Sequence, residues 1–143
     1  DTLVEWQEHP AFDHYLVNDL RAPIASGTYP TAGMVVVPAS MNSVASLAAG
    51  MSGNLLLRAA DVCLKEKRPL VLVPRETPLH SIHLENMLTL SRMGAVILPP
   101  DPAFYLNPQG IEDIVRFVVA RVYLALGLDA AMPADLQYQD GQQ

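Results

Sequence analysis

The sequence is short of the features that mark several protein classes. Its 143 residues include one cysteine, Cys63, so no disulfide can form within the chain, and a reducing compartment is expected. Only 17% of the residues are charged, and no run of lysine and arginine covers a face. With a formal net charge of −6, nucleic acid is not an expected partner. No apolar run reaches the roughly 20 residues needed to span a bilayer, and no secretory signal is visible. A cytoplasmic protein without a membrane partner is the expectation. The G-x-S-x-G nucleophile elbow, the Walker phosphate loop and paired Cys-x-x-Cys motifs are all missing, and there is no internal repeat.

What is present reads as an ordered globular chain. Half of the residues are hydrophobic, which argues against disorder. A chain of this length fits one domain that buries roughly two-thirds of its unfolded surface. So few charges also suggest that part of the outside is hidden in an oligomer interface.

Strand and helix patterns alternate. Gly33 to Pro38 is a short, uniformly apolar strand of the kind buried on both faces of a parallel sheet. Ser40 to Gly50 follows as an Ala-rich helix, with Ser40, Asn42 and Ser43 as capping candidates. After the breaks at Gly50 and Gly53, a second helix starts at Ser52 or Asn54 and runs to about Lys67. Leu70 to Pro74 is the second strand. Ser81 to Arg92 is an amphipathic helix with Ile82, Leu84, Met87, Leu88 and Leu90 on its apolar side. Ala95 to Leu98 is the third strand, stopped by Pro99-Pro100, and Ile111 to Leu126 is the last long helix. The expectation is one α/β domain over residues 1–143 with a parallel sheet. It has an irregular lead-in over 1–24 carrying at most a short helix, a loop at Pro23 to Pro30, and a polar tail over 129–143.

Several residues could carry chemistry. Open α/β sheets bind ligands at the carboxyl ends of their strands, where Arg75-Glu76 follows the second strand; a local ion pair is the plainer alternative. Arg58 and Lys65 are two helical turns apart, so they point the same way about 10 Å from each other. Taken alone they fit better with a solvated face that also carries Asp61, Glu66, Lys67 and Arg68. Arg121 sits in the apolar run FVVARVYLALG without a local acidic partner, which points to a ligand anion or a distant carboxylate. Ser40-Met41-Asn42-Ser43 opens a helix directly after a strand, where backbone N–H groups suit phosphate, although most such junctions are merely capped. Tyr105 lies in the proline-bracketed loop DPAFYLNP, as a lid or a packing wedge. His80 and His83 have a spacing that could chelate a metal, but no third ligand has convincing spacing, and no metal is expected. Cys63 reads as a small buried hydrophobe.

The segments ASGTYPTAGMVVVPASMNS, NLLLRAADVCLKEKRPLVLVPRETPLHSIHLENM, GAVILPPDPAFYLNPQ and VVARVYLALG, in this order, closely resemble the UbiX-type flavin prenyltransferases. These lie within the wider homo-oligomeric flavin-binding Cys decarboxylase-like proteins. The resemblance covers about Ala25 to Leu128. It implies a Rossmann-like, flavodoxin-like, three-layer fold with a parallel sheet and helices on both faces, here without its first strand–helix units. It also implies transfer of a dimethylallyl group from dimethylallyl monophosphate to N5 and C6 of reduced FMN, without a metal. The product, prenylated FMN, is the cofactor of a UbiD-type decarboxylase. Carried over by position, Ser40, Met41, Asn42, Ser43 and Arg75 look like flavin contacts. Arg58, Lys65, Tyr105 and Arg121 look like the clamp on the prenyl phosphate, and Glu76 like the catalytic acid–base. The implied assembly is a homo-oligomer, with a dodecamer among the sizes considered and active sites at subunit contacts.

The family's glycine-serine loop has no counterpart in this sequence. Asn42 stands where the family usually has Lys or Gly, Ser43 where it has Thr, and Leu106-Asn107 where it often has His-Arg or His-Gln. A flavin-dependent decarboxylase of cysteinyl substrates is an alternative, against which Lys65, Tyr105 and Arg121 together speak. A non-catalytic flavin carrier or oligomeric scaffold is another, favoured by the missing loop.

Overall fold

The computed structural model describes residues 2–136; the end of the expected tail, 137–143, lies outside the described residues. Three parallel strands form one sheet in the order β1-β2-β3: β1 at Met34–Ala39, β2 at Leu70–Pro74 and β3 at Val96–Ile97. The helices are α1 at Thr2–Glu8, α2 at Met41–Ala48, α3 at Leu55–Lys65, α4 at Ser81–Arg92 and α5 at Ile111–Ala125. Short 3₁₀ turns occupy Pro23–Ala25, Phe104–Leu106, Asp129–Ala131 and Ala134–Leu136. Parallel neighbours need a crossover to bring the chain back to the start of the next strand, and here α2–α3 and α4 supply it. The result is the open α/β sheet that the alternation predicts.

The core forms where β2 meets the crossover helices. Every residue of β2 is buried, and Leu70, Val71, Leu72 and Val73 are at most 2% exposed. A strand flanked on both sides loses both faces and both edges to water. Val, Leu and Pro can occupy it because no polar side chain is required, and each fully buried Val or Leu contributes about 1.5–3 kcal/mol. Val44 and Leu47 of α2, Leu57, Ala60 and Cys63 of α3, and Met87 and Leu90 of α4 close around it. Burial also pushes the Cys63 thiol pKa up, partly offset by Arg68. Among the described residues Cys63 is a free thiol.

Two expectations need correction. β1 is not buried on both faces: Val36 is 4% exposed but Val37 is 61% exposed, so the described residues leave one face of the strand uncovered there. The ladder shifts register between Val36 and Ala39, across the cis Val37–Pro38 bond. The five apolar residues assigned to one side of α4 do not share a side either. Met87 and Leu90, three apart, are buried, whereas Ile82, Leu84 and Leu88 are about half exposed or more. At about 100° per residue, positions 82 and 84 lie roughly 160° apart and cannot both face one core.

Candidate active site

The sheet register assembles one part of the site. Ala39 of β1 is paired with Pro74 of β2, so the residues that follow them, Ser40 and Arg75, leave the sheet side by side at its carboxyl edge. Ser40 caps α2: its Oγ accepts from the Ser43 backbone N–H at 3.1 Å and lies 3.0 Å from the Ser43 hydroxyl. The Met41 and Asn42 amides occupy the first two helical positions, where no intrahelical carbonyl is within reach. They remain available to an anionic or carbonyl-bearing ligand.

A cleft of about 520 Å³ opens past the end of β2, lined by Pro74, Arg75, Glu76, Thr77, Pro78 and Leu79, by Met87 of α4, and by Pro99, Pro100 and Asp101. That volume is within the range of small-molecule sites. Its walls combine proline rings and the apolar Leu79 and Met87 side chains with the charged Arg75, Glu76 and Asp101. Arg75 and Glu76 are exposed there. The Glu76 carboxylate accepts from the Thr77 backbone N–H through Oε1 at 3.0 Å, leaving Oε2 without a protein partner. Among the described residues Arg75 has no hydrogen bond or ion pair.

A second part of the site lies elsewhere. Because α3 returns the chain from the carboxyl to the amino edge of the sheet, Lys65, its last residue, sits far from Glu76. Asn54 caps the start of α3, its side-chain oxygen accepting from the Leu57 N–H at 2.9 Å. Two cations of the α3 region, Arg58 and Arg68, hold the loop that precedes β1. Arg58 donates from Nε to the Ala25 carbonyl at 3.0 Å, and its Nη1 is 3.5 Å from Asp61 Oδ2. Arg68 donates to the carbonyls of Gly27 (2.6 Å) and Tyr29 (2.8 Å) and to the Thr31 hydroxyl (3.3 Å). Between them Lys65 pairs with Glu66, and this contact, foremost its hydrogen bond, holds the Glu66 carboxyl below the usual carboxylate range. Gly27 lies against the ends of the Lys65 and Glu66 side chains, so an added Cβ there would push these two flexible groups aside.

This loop presents two hydroxyls, Ser26 Oγ and Thr28 Oγ1, 2.9 Å apart, next to the Lys65 ammonium. Sequence reasoning placed Ser26, Gly27 and Thr28 in an ordinary loop and Arg68 on a solvated face. The contacts join residues 33 to 41 positions apart, which no local pattern reveals. A glycine between two hydroxyl residues was the one available signal.

Tyr105 and Arg121 belong to neither group. Tyr105 projects from the 3₁₀ turn after β3, 81% exposed, with Phe104 and Leu106 exposed beside it. Arg121 is exposed on α5 and, among the described residues, makes no hydrogen bond or ion pair. One chain therefore assembles Ser40–Ser43 with Arg75 and Glu76, and separately Arg58 with Lys65. No hydrogen bond or ion pair ties Tyr105 or Arg121 to either set. His80 and His83 do not form a metal site: no group of three or more His, Cys, Asp or Glu side chains could hold an ion among the described residues. Their rings are stacked instead, with centroids 3.5 Å apart. No helix among the described residues is long and apolar enough to cross a membrane.

Residues 5–123 match the Flavoprotein family. The flavin prenyltransferase UbiX of Methanocaldococcus jannaschii is 47% identical over 131 residues, 90% of this chain and 71% of that protein. This chain belongs to the UbiX-type flavin prenyltransferase family. The UbiX of Alkalihalophilus pseudofirmus is 58% identical over 113 residues, which are 79% of this chain and 56% of that protein. The chain thus spans little more than half the length of some of the curated relatives it matches. Among solved structures, a dodecameric FMN-dependent UbiX-like decarboxylase from Escherichia coli O157:H7 superposes with a TM-score of 0.81. It is 52% identical, covering 87% of this chain and 66% of that one. AnUbiX, solved in complex with FMN and dimethylallyl pyrophosphate, superposes with a TM-score of 0.83 at 42% identity, covering 98% of this chain and 77% of that one.

Proposed function

We propose that this chain is part of a flavin prenyltransferase that moves a dimethylallyl group from dimethylallyl monophosphate to reduced FMN. The observation that carries this reading is the cleft at the carboxyl edge, where Arg75 and Glu76 emerge beside the capped start of α2. When bound there, reduced FMN supplies the nucleophilic N5 and C6. The amides of Met41 and Asn42, the hydroxyls of Ser40 and Ser43, and Arg75 would hold its polar edge. Glu76 Oε2 would take up the proton lost from C6 as the benzenoid ring of the flavin regains aromaticity, while the Thr77 N–H keeps Oε1 in place.

Arg58, Lys65, Tyr105 and Arg121 would bind the prenyl phosphate. A phosphate gains negative charge as its C–O bond breaks, so cations already in position stabilise the transition state more than the bound substrate. The Ser26 and Thr28 hydroxyls beside Lys65 suit the same oxygens. A chain that keeps Lys65 and Glu76 at opposite edges of its sheet cannot close this site alone. Copies of the chain would therefore join in a homo-oligomer, of dodecamer size on the pattern of its relatives, that brings α3 of one copy toward the cleft of another. The prenylated FMN would pass to a UbiD-type decarboxylase. A cytoplasmic setting suits a chain whose one thiol is buried and unpaired.

The test is to incubate the purified chain with reduced FMN and dimethylallyl monophosphate, or with the pyrophosphate, and to read the mass of the flavin. A gain of one prenyl unit is expected with the monophosphate. FMN that stays tightly bound and unchanged would overturn the transferase reading and leave a flavin carrier. In the active chain, Glu76→Gln is expected to retain flavin and to slow prenylation by about 100-fold or more, the usual scale of a lost acid–base group.

A further inference from the structure

We propose that Asp113 is a positioning residue. It ties the turn that carries Tyr105 to the start of α5, so that Tyr105 and Arg121 meet the prenyl phosphate as one unit. Tyr105 stands in the middle of the 3₁₀ turn Phe104–Leu106. Before the turn, Ala103 is buried and anchors its first end. After it, hydrogen bonds lead step by step to α5. The Asn107 N–H donates to the Phe104 carbonyl at 2.9 Å and closes the turn. The Gln109 side chain donates from Nε2 to the Asn107 carbonyl at 2.8 Å, and the Gln109 backbone N–H donates to Asp113 Oδ2 at 2.8 Å. Asn107 makes this path possible at φ 53°, in the left-handed region that asparagine enters more readily than most residues with a side chain.

The bond to Asp113 differs from an ordinary helix cap. Gly110 is the N-cap of α5, so Asp113 is the third helical residue. In a capping box the acidic side chain at that position reaches back to the N–H of the N-cap residue itself. Here it takes the N–H of Gln109, one residue further out, and so secures loop backbone in place of helix backbone. The carboxylate makes the bond charge-assisted, and stronger than one between neutral groups. Packing does not fix the turn in its stead. A hollow of about 130 Å³ lies between Leu106, Asn107 and Pro108 on one side and Ile114 and Phe117 of α5 on the other. Phe104 and Leu106 are both exposed, so neither wedges the turn against the core. Arg121 follows Asp113 on the same helix, about 12 Å further along its axis. α5 fully buries no residue, and any shift it makes is passed to Tyr105 through Asp113. The two groups assigned to the phosphate thereby keep their relation to each other.

This rests on the flavin-transfer reading for its ligand, dimethylallyl monophosphate; the tie between Asp113 and the turn does not. The test joins calorimetric binding of dimethylallyl monophosphate to the full chain, in the presence of FMN, with hydrogen exchange by NMR at the Asn107 and Gln109 amides. Asp113→Ala is expected to speed exchange at both amides and to leave FMN affinity unchanged. It is expected to weaken prenyl phosphate binding by about fivefold, the scale of one net hydrogen bond. Asp113→Asn keeps an acceptor oxygen and is expected to restore most of both readouts. Glu112→Ala removes the neighbouring first-turn charge, which pairs with Arg116 of the same helix, and is expected to change neither. In a Tyr105→Ala background Asp113→Ala is expected to cause no further loss of affinity, because its effect passes through Tyr105. An equal loss in that background, unchanged affinity in Asp113→Ala, an Asp113→Asn variant as weak as Asp113→Ala, or the same loss in Glu112→Ala would each overturn the proposal. Amides that exchange in Asp113→Ala as they do in the parent would overturn the tie itself, with the flavin-transfer reading untouched. A parent chain that binds FMN but no prenyl phosphate would overturn that reading and the shared phosphate role together, whatever the amides show.

Discussion

Helices α3 and α5 both carry cations assigned to the same phosphate, yet they are fixed by different means. α3 buries Leu55, Leu57, Ala59, Ala60, Val62 and Cys63, and its start is capped by Asn54. Its Arg58 and Lys65 are already engaged, on the Ala25 carbonyl and Asp61 and on Glu66 respectively. α5 is longer, 15 residues, and buries none. Its start is Gly110, without a side-chain cap, and its Arg121 has no partner among the described residues. Ile111, Val115, Val119 and Leu124 present apolar surface on it. One half of the proposed clamp is thus built by the chain's own core. The other half is carried by a helix that fully buries no residue and whose Arg121 is exposed. A site divided in this way is set on one side by folding and on the other by what α5 meets.

Truncation of core contacts separates the two helices most sharply. Leu57→Ala on α3 removes a side chain that is 8% exposed and part of the main cluster, so a loss of about 2–4 kcal/mol is expected. Val119→Ala on α5, 38% exposed, should stay within about 1 kcal/mol. Urea midpoints at a constant slope measure both. Equal losses would mean that α5 is as firmly bound to the core as α3, and the contrast would fall.

The two arginines give the next largest difference. Arg58 binds the loop before β1 through a charge-assisted bond to Ala25, but its side chain is 37% exposed. Allowing for that exposure, Arg58→Ala should lower stability by about 1 kcal/mol and also weaken dimethylallyl monophosphate. Arg121→Ala removes no internal contact. It should leave the urea midpoint within about 0.5 kcal/mol while raising the KM for the prenyl phosphate. Calorimetric binding beside urea unfolding separates the two effects. A stability loss in Arg121→Ala as large as that in Arg58→Ala would show that its cation is structural.

The same contrast explains what the sequence made legible. β2 was readable to the residue, because an unbroken apolar run between Pro69 and Arg75 has one good place in an α/β sheet, its middle. The bounds of α4 were readable from its polar flanks, but its buried side was not. An apolar residue on a helix shows what could be buried, and Ile82, Leu84 and Leu88 have no surface to meet in this chain. Val37 failed for the corresponding reason on an edge strand. At the site, Arg75-Glu76 was found by its place at a strand end, a local feature. The pairing of Ala39 with Pro74, which brings Ser40 beside Arg75, depends on register across the sheet. The docking of Gly27 and Tyr29 on Arg68 depends on a loop returning over 39 to 41 positions. Both are tertiary facts, and the resemblance to a family supplied roles for residues whose spacing alone left a solvated face as the better reading.

The smallest single effect is expected at the helix starts. Asn54→Ala deletes the acceptor for the Leu57 N–H and leaves an amide at a part-buried site without its partner; the expected loss is about 1 kcal/mol. Gly110 precedes α5 with φ −168°, an extended conformation open to any residue, and an added Cβ there would meet nothing within 4 Å. Gly110→Ser should therefore introduce a hydroxyl acceptor for the first turn without strain, raising stability by a few tenths of a kcal/mol, the measured gap between glycine and good caps. Opposite signs at two equivalent positions follow from one rule applied to a capped and an uncapped helix. If Gly110→Ser instead lowers the urea midpoint while Asn54→Ala leaves it unchanged, the order of the two helices is reversed, and α5 is the element whose start is already fixed.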